Sequence, residues 1–318
     1  MTTQSELRLL VKIASLYYNE GKKQSEVAQL LNVSQSQVSR ALTRCLKEGL
    51  VKISVVQPPN IFIGLEHQLQ QLYGLRQVIV VDVDEEPSDD QIKRAIGSMA
   101  AHYLQTTLMK DELIGISSWS TTIRAMIDAL HPLKISASGV IQLMGGVGQN
   151  GNLQSTMLTQ SLANILGCES FLLPALSIER SVEDKQRLLQ SIEVANVVNK
   201  FDEVDLAIVG IGSTEPSSLL RNSGNYYHEE MTELLSNRGA VGDIGLHYYD
   251  KNGVAILAED EDPVISMQLE QLRKCPRVVG LAGGNEKVSS IHGALKGGYL
   301  DVLITDRITA KALLELDD

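Results

Sequence analysis

The chain is short of aromatic rings: one Trp, three Phe and nine Tyr in 318 residues, about 4% of the whole. Its core is therefore built from aliphatic side chains, which the 43% hydrophobic content supplies amply. Cysteine is scarce too. Cys45, Cys168 and Cys275 are far apart and odd in number, so they form neither a metal motif nor a disulfide framework. That usage fits a reducing, cytoplasmic compartment. No apolar run approaches the roughly 18 residues of a membrane span, so no membrane partner is expected. The N-terminus enters an amphipathic stretch carrying Arg8 and Lys12, so no signal peptide is expected either. The six histidines (His67, His102, His131, His228, His247 and His292) show no ligand spacing. No metal and no cofactor are expected. There is no internal repeat and no low-complexity tract.

The most informative stretch present is QSEVAQLLNVSQSQVSRALTRCLKEG, from Gln24 to Gly49. It reads as two short amphipathic helices joined by a tight turn. The first runs from about Ser25, a suitable N-cap, to Leu31, with Val27, Leu30 and Leu31 apolar. Asn32-Val33-Ser34 is the turn: Asn tolerates the left-handed backbone, and Val33 can plug the corner. The second helix starts near Gln35 and stops at Gly49, with Val38, Ala41, Leu42, Cys45 and Leu46 inward. Around its other face stand Ser34, Gln35, Ser36, Gln37, Ser39, Arg40 and Arg44. Gln pairs with adenine edges, Arg with guanine or phosphate, and Ser with either. The first residues of a recognition helix reach bases. A preceding amphipathic helix, about Glu6 to Tyr18, turns Leu9, Leu10, Ile13, Ala14 and Tyr17 inward, and LVKISVV, Leu50 to Val56, reads as a strand of the kind beside winged helices. The bland alternative is a surface helical hairpin; three helices and a wing argue instead for a winged helix-turn-helix on double-stranded DNA.

Charge is divided along the chain. Residues 1–56 hold eight Lys and Arg against four Asp and Glu, a net +4, which leaves −15 for the remainder of a chain at −11. The basic end can approach phosphates while the acidic body is repelled. A head of only +4 binds weakly alone, so useful affinity requires at least a dimer on repeated half-sites.

The expected organisation is a DNA-binding head over residues 1–57, a linker helix over 58–74 and an effector-binding and oligomerisation domain over 75–318. Pro58-Pro59-Asn60 marks the joint, and Leu65, Leu69 and Leu72 give the linker helix one apolar face ended by Gly74. Beyond it, strands and helices alternate. Strands are expected at Gln77–Val83, Leu113–Ser117, Val140–Met144, Phe171–Leu173, Leu206–Val209, Val278–Leu281 and Val302–Ile304. Helices are expected at Asp89–Met109, Thr121–Leu130, Gln154–Leu166, Val182–Asn199 and Asp306–Leu316, with a hairpin turn at Asp250–Gly253. The fold class is α/β: a winged head plus a larger Rossmann-like, mostly parallel sheet covered on both faces.

Ligands of open α/β sheets sit at the carboxyl ends of strands. Four loops there are candidates. SSWSTT, Ser117–Thr122, opens a helix and offers hydroxyls and free N–H groups to a phosphate. GGVGQNG, Gly145–Gly151, lets backbone approach a ligand. AVGDI, Ala240–Ile244, presents Asp243 to sugar hydroxyls, and GGNEK, Gly283–Lys287, presents Lys287 near the start of a helix. Each has a plain structural reading as a tight turn, and Trp119 as core. All four in one domain favour a site. Gly146–Gly151 formally matches G-x-G-x-x-G but does not belong to the first strand–helix unit, so dinucleotide binding is disfavoured.

The ordered run YYNEGKKQSEVAQLLNVSQSQVSR, ISSWSTT, QLMGGVG, LAIVGIGS, GAVGDI, LAGGNEKVSSIHGALKGGY and LITD resembles the SorC family of bacterial transcription regulators across nearly the whole chain. The resemblance implies a helix-turn-helix head and a body similar to the sugar-phosphate isomerase and glucosamine-phosphate deaminase fold. It implies a phosphorylated sugar or polyol effector and a homotetramer on operator DNA. It also implies that Ser118, Trp119, Ser120, Thr121 and Thr122, with Gly145, Gly146 and Gly148, hold the phosphate, and that Asp243 and Lys287 contact the sugar. Some relatives carry Lys where Met144 stands; Met144 forms no imine, so binding here is expected to be reversible. The rival reading is a sugar-phosphate isomerase or deaminase with an accessory head, which needs a general base over C1–C2. Asp243 could serve, but no His or Glu completes the set.

Overall fold

Why the chain makes two separate cores is visible in where its apolar residues converge. In the computed structural model, which describes residues 4–51, 60–133, 135–148 and 153–316, contacts divide the chain into Met1–Pro58 and Pro59–Asp318.

Among its described residues the first unit holds three α-helices. Helix α1 (Gln4–Ala14) buries Leu10, Ile13 and Ala14 and runs on into one π-helical turn, Ser15–Asn19. Helix α2 (Gln24–Leu31) begins one residue earlier than expected. Lys23, not Ser25, is the capping residue, because Glu26 reaches back to accept the Lys23 N–H at 2.7 Å. Asn32 closes the helix in the left-handed region (φ 52°), as its side chain type allows. Helix α3 (Gln35–Lys47) starts on a reciprocal cap: Ser34 Oγ accepts from the Gln37 N–H at 3.2 Å, and Gln37 Oε1 accepts from the Ser34 N–H at 2.8 Å. Ile13, Val27, Ala28, Val38 and Leu42 form the core, with Val33 packed at the corner. Leu9 and Leu46, expected inward, are 42% and 43% exposed. The expected strand is outside the described residues from Lys52 onward.

The second unit begins with α4 (Ile63–Tyr73), the expected linker helix, which packs here on β1 (Gln77–Val81) and on the last helix. In chain order there follow α5 (Asp89–Thr107), β2 (Leu113–Ile116), α6 (Thr121–Ala129), β3 (Gly139–Gln142), α7 (Gln154–Leu166) and β4 (Glu169–Phe171). Then come α8 (Val182–Leu189), α9 (Ile192–Val198), β5 (Leu206–Gly210), α10 (Ser218–Ser223) and α11 (Glu229–Asn237). The chain ends with β6 (Gly242–Ile244), β7 (His247–Tyr249), α12 (Leu269–Lys274), β8 (Val278–Leu281), α13 (Val288–Lys296), β9 (Val302–Asp306) and α14 (Arg307–Glu315). The single helix expected over Val182–Asn199 is two. Ser191 donates from Oγ to the Leu188 carbonyl at 2.8 Å, a local bond that competes with the helical ladder.

Seven strands form one parallel sheet in the order β1-β9-β8-β5-β2-β3-β4. Side chains alternate between its faces. Leu206 and Ile208 enter an apolar layer with Ile96 and Leu104 of α5 and Met126 of α6. Ala207 and Val209 enter the opposite layer with Ile291 of α13 and Leu313 of α14. Strands covered on both faces explain the unbroken apolar runs of the sequence. Gly97 lets α5 meet α6, since a Cβ there would lie 2.7 Å from Ala125.

The segment expected as a loop around Asp243 is instead strand β6, paired antiparallel with β7. Both residues of the connecting turn have positive φ, Gly245 at 62° and Leu246 at 69°, as a tight two-residue hairpin requires. For the buried Leu246 this backbone is unfavourable, and the Asp243 carboxylate holds it by accepting the Leu246 N–H at 2.8 Å. Asp250–Gly253 is a turn as expected: Asp250 Oδ1 accepts from the Asn252 and Val254 N–H groups at 2.9 and 2.8 Å.

Candidate functional site

Strand β2 leads to β3 on one side of the sheet, while its neighbour β5 leads to β8 on the other. Loops leaving β2 and β5 therefore diverge, and a crevice opens between them at the carboxyl ends. A cavity of about 320 Å³ lies there. That volume suits a small metabolite.

The wall from β2 is Ser117, Trp119, Ser120, Thr121 and Thr122. Ser117 Oγ accepts the Gly210 N–H at 2.9 Å and ties this loop to the one after β5. Trp119 is buried and donates from Nε1 to the Gly145 carbonyl at 2.7 Å, so it shapes the wall. Ser120 caps α6 by accepting the Ile123 N–H at 3.3 Å, which leaves Thr121 and Thr122 on the first turn facing the cavity. A helix N-terminus presents unpaired N–H groups and the positive end of its dipole to an anion.

Asp243 and Lys287 line the same cavity. Asp243 is only 7% exposed, and burial pushes its carboxyl up from 3.8 to about 6 against the opposing pull of the Leu246 N–H and of Lys287. Lys287 donates from Nζ to the Ile211 carbonyl at 2.5 Å. Burial draws its ammonium below the ordinary value, and Asp243 resists that. Gly212 is pinned beside them by two backbone bonds to Asp243, of 2.9 and 3.2 Å. A Cβ on Gly212 would lie 1.9 Å from Asp243 Oδ1. Two opposite charges thus border a small cavity, with neither salt-bridged to the other. Such a pair can bind a neutral hydroxyl from both its donor and acceptor sides.

A family model described as "Putative sugar-binding domain" matches residues 58–315. The sorbitol operon regulator of Klebsiella pneumoniae is 31% identical over 322 aligned positions, covering 99% of this chain and 100% of that protein. The chain belongs to the SorC family of sugar-responsive transcription regulators. The deoxyribonucleoside regulator of Bacillus subtilis is 30% identical, with 96% of this chain and 97% of that protein covered. Among solved structures, the sugar-binding domain of a DeoR regulator from Pseudomonas syringae pv. tomato is 48% identical at a TM-score of 0.64, covering 79% of this chain and 98% of its own. The full-length sorbitol operon regulator SorC from K. pneumoniae aligns at a TM-score of 0.71 and 30% identity, over 98% of this chain and 100% of that one.

Within this SorC-family chain, part of the expected site does not reach the cavity. Ser118 is fully buried, with its Oγ on Thr159 Oγ1 at 2.8 Å. The N–H groups of Gly145 and Gly146 are taken by the carbonyls of Ile265 (2.9 Å) and Leu173 (3.1 Å). Gly145 is glycine because a Cβ would meet the Leu176 carbonyl oxygen at 2.2 Å. Gly146 is fitted to the Gln142 amide in the same way, and Gly148 is buried off the cavity. The glycine loop stitches strands together, and Met144 is the residue it sends into the cavity. Gln149–Gly151 lies outside the described residues. The end of β5 with the loop after it, Gly210–Ser213, and the start of α10 were missed, as were Asp89 and Lys93 of α5, themselves ion-paired. A strand-end serine-glycine run was visible in LAIVGIGS, but its proximity to β2 depends on strand order.

The SorC-family head presents Gln35, Ser36, Gln37, Ser39 and Arg40 to solvent on α3. Two residues have prior engagements. The Oε1 of Gln37 is used in the cap, and Arg44 is bound to Glu48 at 2.6 Å and lies 3.9 Å from Glu6. Among the described residues Arg40 holds only the Ser36 carbonyl, at 3.3 Å, and is the cation on this face best placed for a new partner. Among the described residues no cluster of potential metal ligands occurs and no helix is long and apolar enough to cross a membrane.

Proposed function

We propose that the chain is a cytoplasmic transcriptional regulator that binds double-stranded operator DNA through α2–α3 and releases or engages it in response to a phosphorylated sugar or polyol. The observation that carries the effector half is that the buried Asp243 and the half-buried Lys287 line the same 320 Å³ cavity as the N-terminus of α6. In this reading the phosphate takes the N–H groups and hydroxyls of Thr121 and Thr122, Asp243 accepts from sugar hydroxyls, and Lys287 donates to them. Met144 has no amine, so the complex forms without an imine. Relatives named for sorbitol, erythritol and deoxyribonucleosides support a sugar or polyol class.

The head is the other half. One head of +4 supplies few phosphate contacts. A homotetramer supplies several, and effector binding shifts the balance between arrangements that do and do not match operator spacing. At the Asp243–Lys287 cavity the body binds its effector and does not turn it over as a sugar-phosphate isomerase or deaminase would. Thermal denaturation with a panel of sugar and polyol phosphates tests the effector assignment. A true effector at a hundred times its Kd stabilises by roughly 2.7 kcal/mol, and its unphosphorylated parent does so far less. Equal stabilisation by phosphorylated and plain forms, or none by any, would remove the phosphate from the reading.

A further inference from the structure

A second, larger cavity of about 970 Å³ shares only Tyr248 with the first. His247, Asp262 and Ser266 all line it, and effector binding uses none of them. His247 Nδ1 stands 2.6 Å from Asp262 Oδ2, and His247 Nε2 stands 2.7 Å from Ser266 Oγ. The remaining oxygen of Asp262 accepts the Val264 N–H at 3.0 Å and the Tyr227 hydroxyl at 3.4 Å. Lys185, which also lines the cavity, donates from Nζ to the Asp262 main-chain carbonyl at 2.8 Å and fixes the segment. All three members are buried, at 5–6% exposure.

We infer that Ser266, His247 and Asp262 form an acyl-transfer triad, a nucleophilic serine site for short-chain carboxylic esters. The order of roles follows from the hydrogen bonds. Burial works against ionising Asp262, yet the bond and charge of His247 overcome it and hold the carboxyl below its ordinary value. An anionic Asp262 makes Nδ1 the donor, which leaves Nε2 as the base toward Ser266. The Ser266 hydroxyl has a second acceptor in the Gly245 carbonyl at 2.8 Å, so its proton turns from that oxygen to His247 when the serine reacts. Leu189, Val198, Val254, Ile256 and Leu269 give the cavity apolar walls suited to a short acyl chain.

In the reaction, Ser266 Oγ forms a bond to the ester carbonyl carbon and passes its proton to His247 Nε2. The carbonyl re-forms as the ester C–O bond breaks, and the leaving alkoxide takes the proton from His247. Water then attacks the acyl-serine with His247 again as base, giving the carboxylic acid and free Ser266.

The test uses the full-length protein and a fluorophosphonate probe. There Oγ–P forms, P–F breaks, fluoride leaves and His247 takes the proton. Intact-mass and peptide analysis are expected to show one probe per chain, on Ser266, and p-nitrophenyl acetate is expected to be cleaved with release of p-nitrophenolate. His247→Gln is expected to slow labelling about 100-fold or more. Ser266→Ala is expected to lose both signals. Absence of wild-type labelling, labelling on another residue, or an unchanged rate in a folded His247→Gln protein would overturn the assignment. The wild-type mapping decides the matter even where a variant fails to fold, and it is independent of the sugar-phosphate response.

Discussion

Replacing Asp243 by Asn should make the ligand-free protein more stable and deaf to its effector. The carboxyl stands at about 6 in the fold against an ordinary 3.8. The folded protein therefore holds this proton more tightly than the unfolded chain does. Stability from that source is fully present below about 3.8 and is lost as pH rises through about 6. At 1.36 kcal/mol per pH unit, the penalty carried above pH 6 is about 3 kcal/mol. Asn keeps an oxygen for the Leu246 N–H and carries no charge to desolvate. Its removal of the charge opposite Lys287 offsets part of the gain, so a net stabilisation of roughly 1–3 kcal/mol is expected near pH 8. For a unit of this size each kcal/mol moves Tm by about 2–4 °C. Near pH 4 the gain should shrink to under about 1 kcal/mol. Melting of both proteins at pH 8 and pH 4, followed by far-ultraviolet circular dichroism, reads this directly. A variant that is destabilised at pH 8, or that gains equally at both pH values, refutes the reasoning that burial of the Asp243 charge strains the site.

Three further outcomes follow from named contacts. Gly212→Ala should fold but lose effector affinity by roughly tenfold or more, since a Cβ 1.9 Å from Asp243 Oδ1 must displace that carboxylate; calorimetric titration measures it. Glu112→Ala should cost about 2–4 kcal/mol in urea unfolding, because it strands the largely covered Arg277 guanidinium that the buried Glu112 now binds at 2.8 and 2.9 Å. Arg40→Ala should weaken operator binding by about 1–3 kcal/mol, and Arg44→Ala by less, since Arg44 is already held by Glu48; gel-shift titration of the two variants separates them.

Local signals carried the head and the strand ladder. Asn32 and Ser34 mark the turn between α2 and α3 because left-handed backbone and capping depend on one residue and its near neighbours. The runs at Leu206 and Val278 are strands because both their faces are covered. Which face of α1 is covered was less legible, and Leu9 turned outward. At the site, Thr121, Asp243 and Lys287 were legible as polar residues near strand ends and helix starts. Gly210–Ser213 was not, because β5 comes beside β2 only through a long-range crossover. The glycines at 145 and 146 misled for a different reason. A glycine required by a neighbouring carbonyl looks in sequence like one that makes room for a ligand. Ser266, His247 and Asp262 have no motif spacing at all; strand β7 and the irregular segment before α12 bring them together.

The Asp243–Lys287 pair of the body is predicted to govern what the head does. Gel-shift titration of duplex from the region upstream of the chain's own gene, with and without the stabilising sugar phosphate, tests it for the wild type and Lys287→Met. The account predicts that the effector changes wild-type operator affinity by about 5- to 150-fold. Lys287→Met should bind the duplex as tightly as the wild type without effector, and should not respond to it. A Lys287→Met protein that responds at the same effector concentration as the wild type contradicts the account.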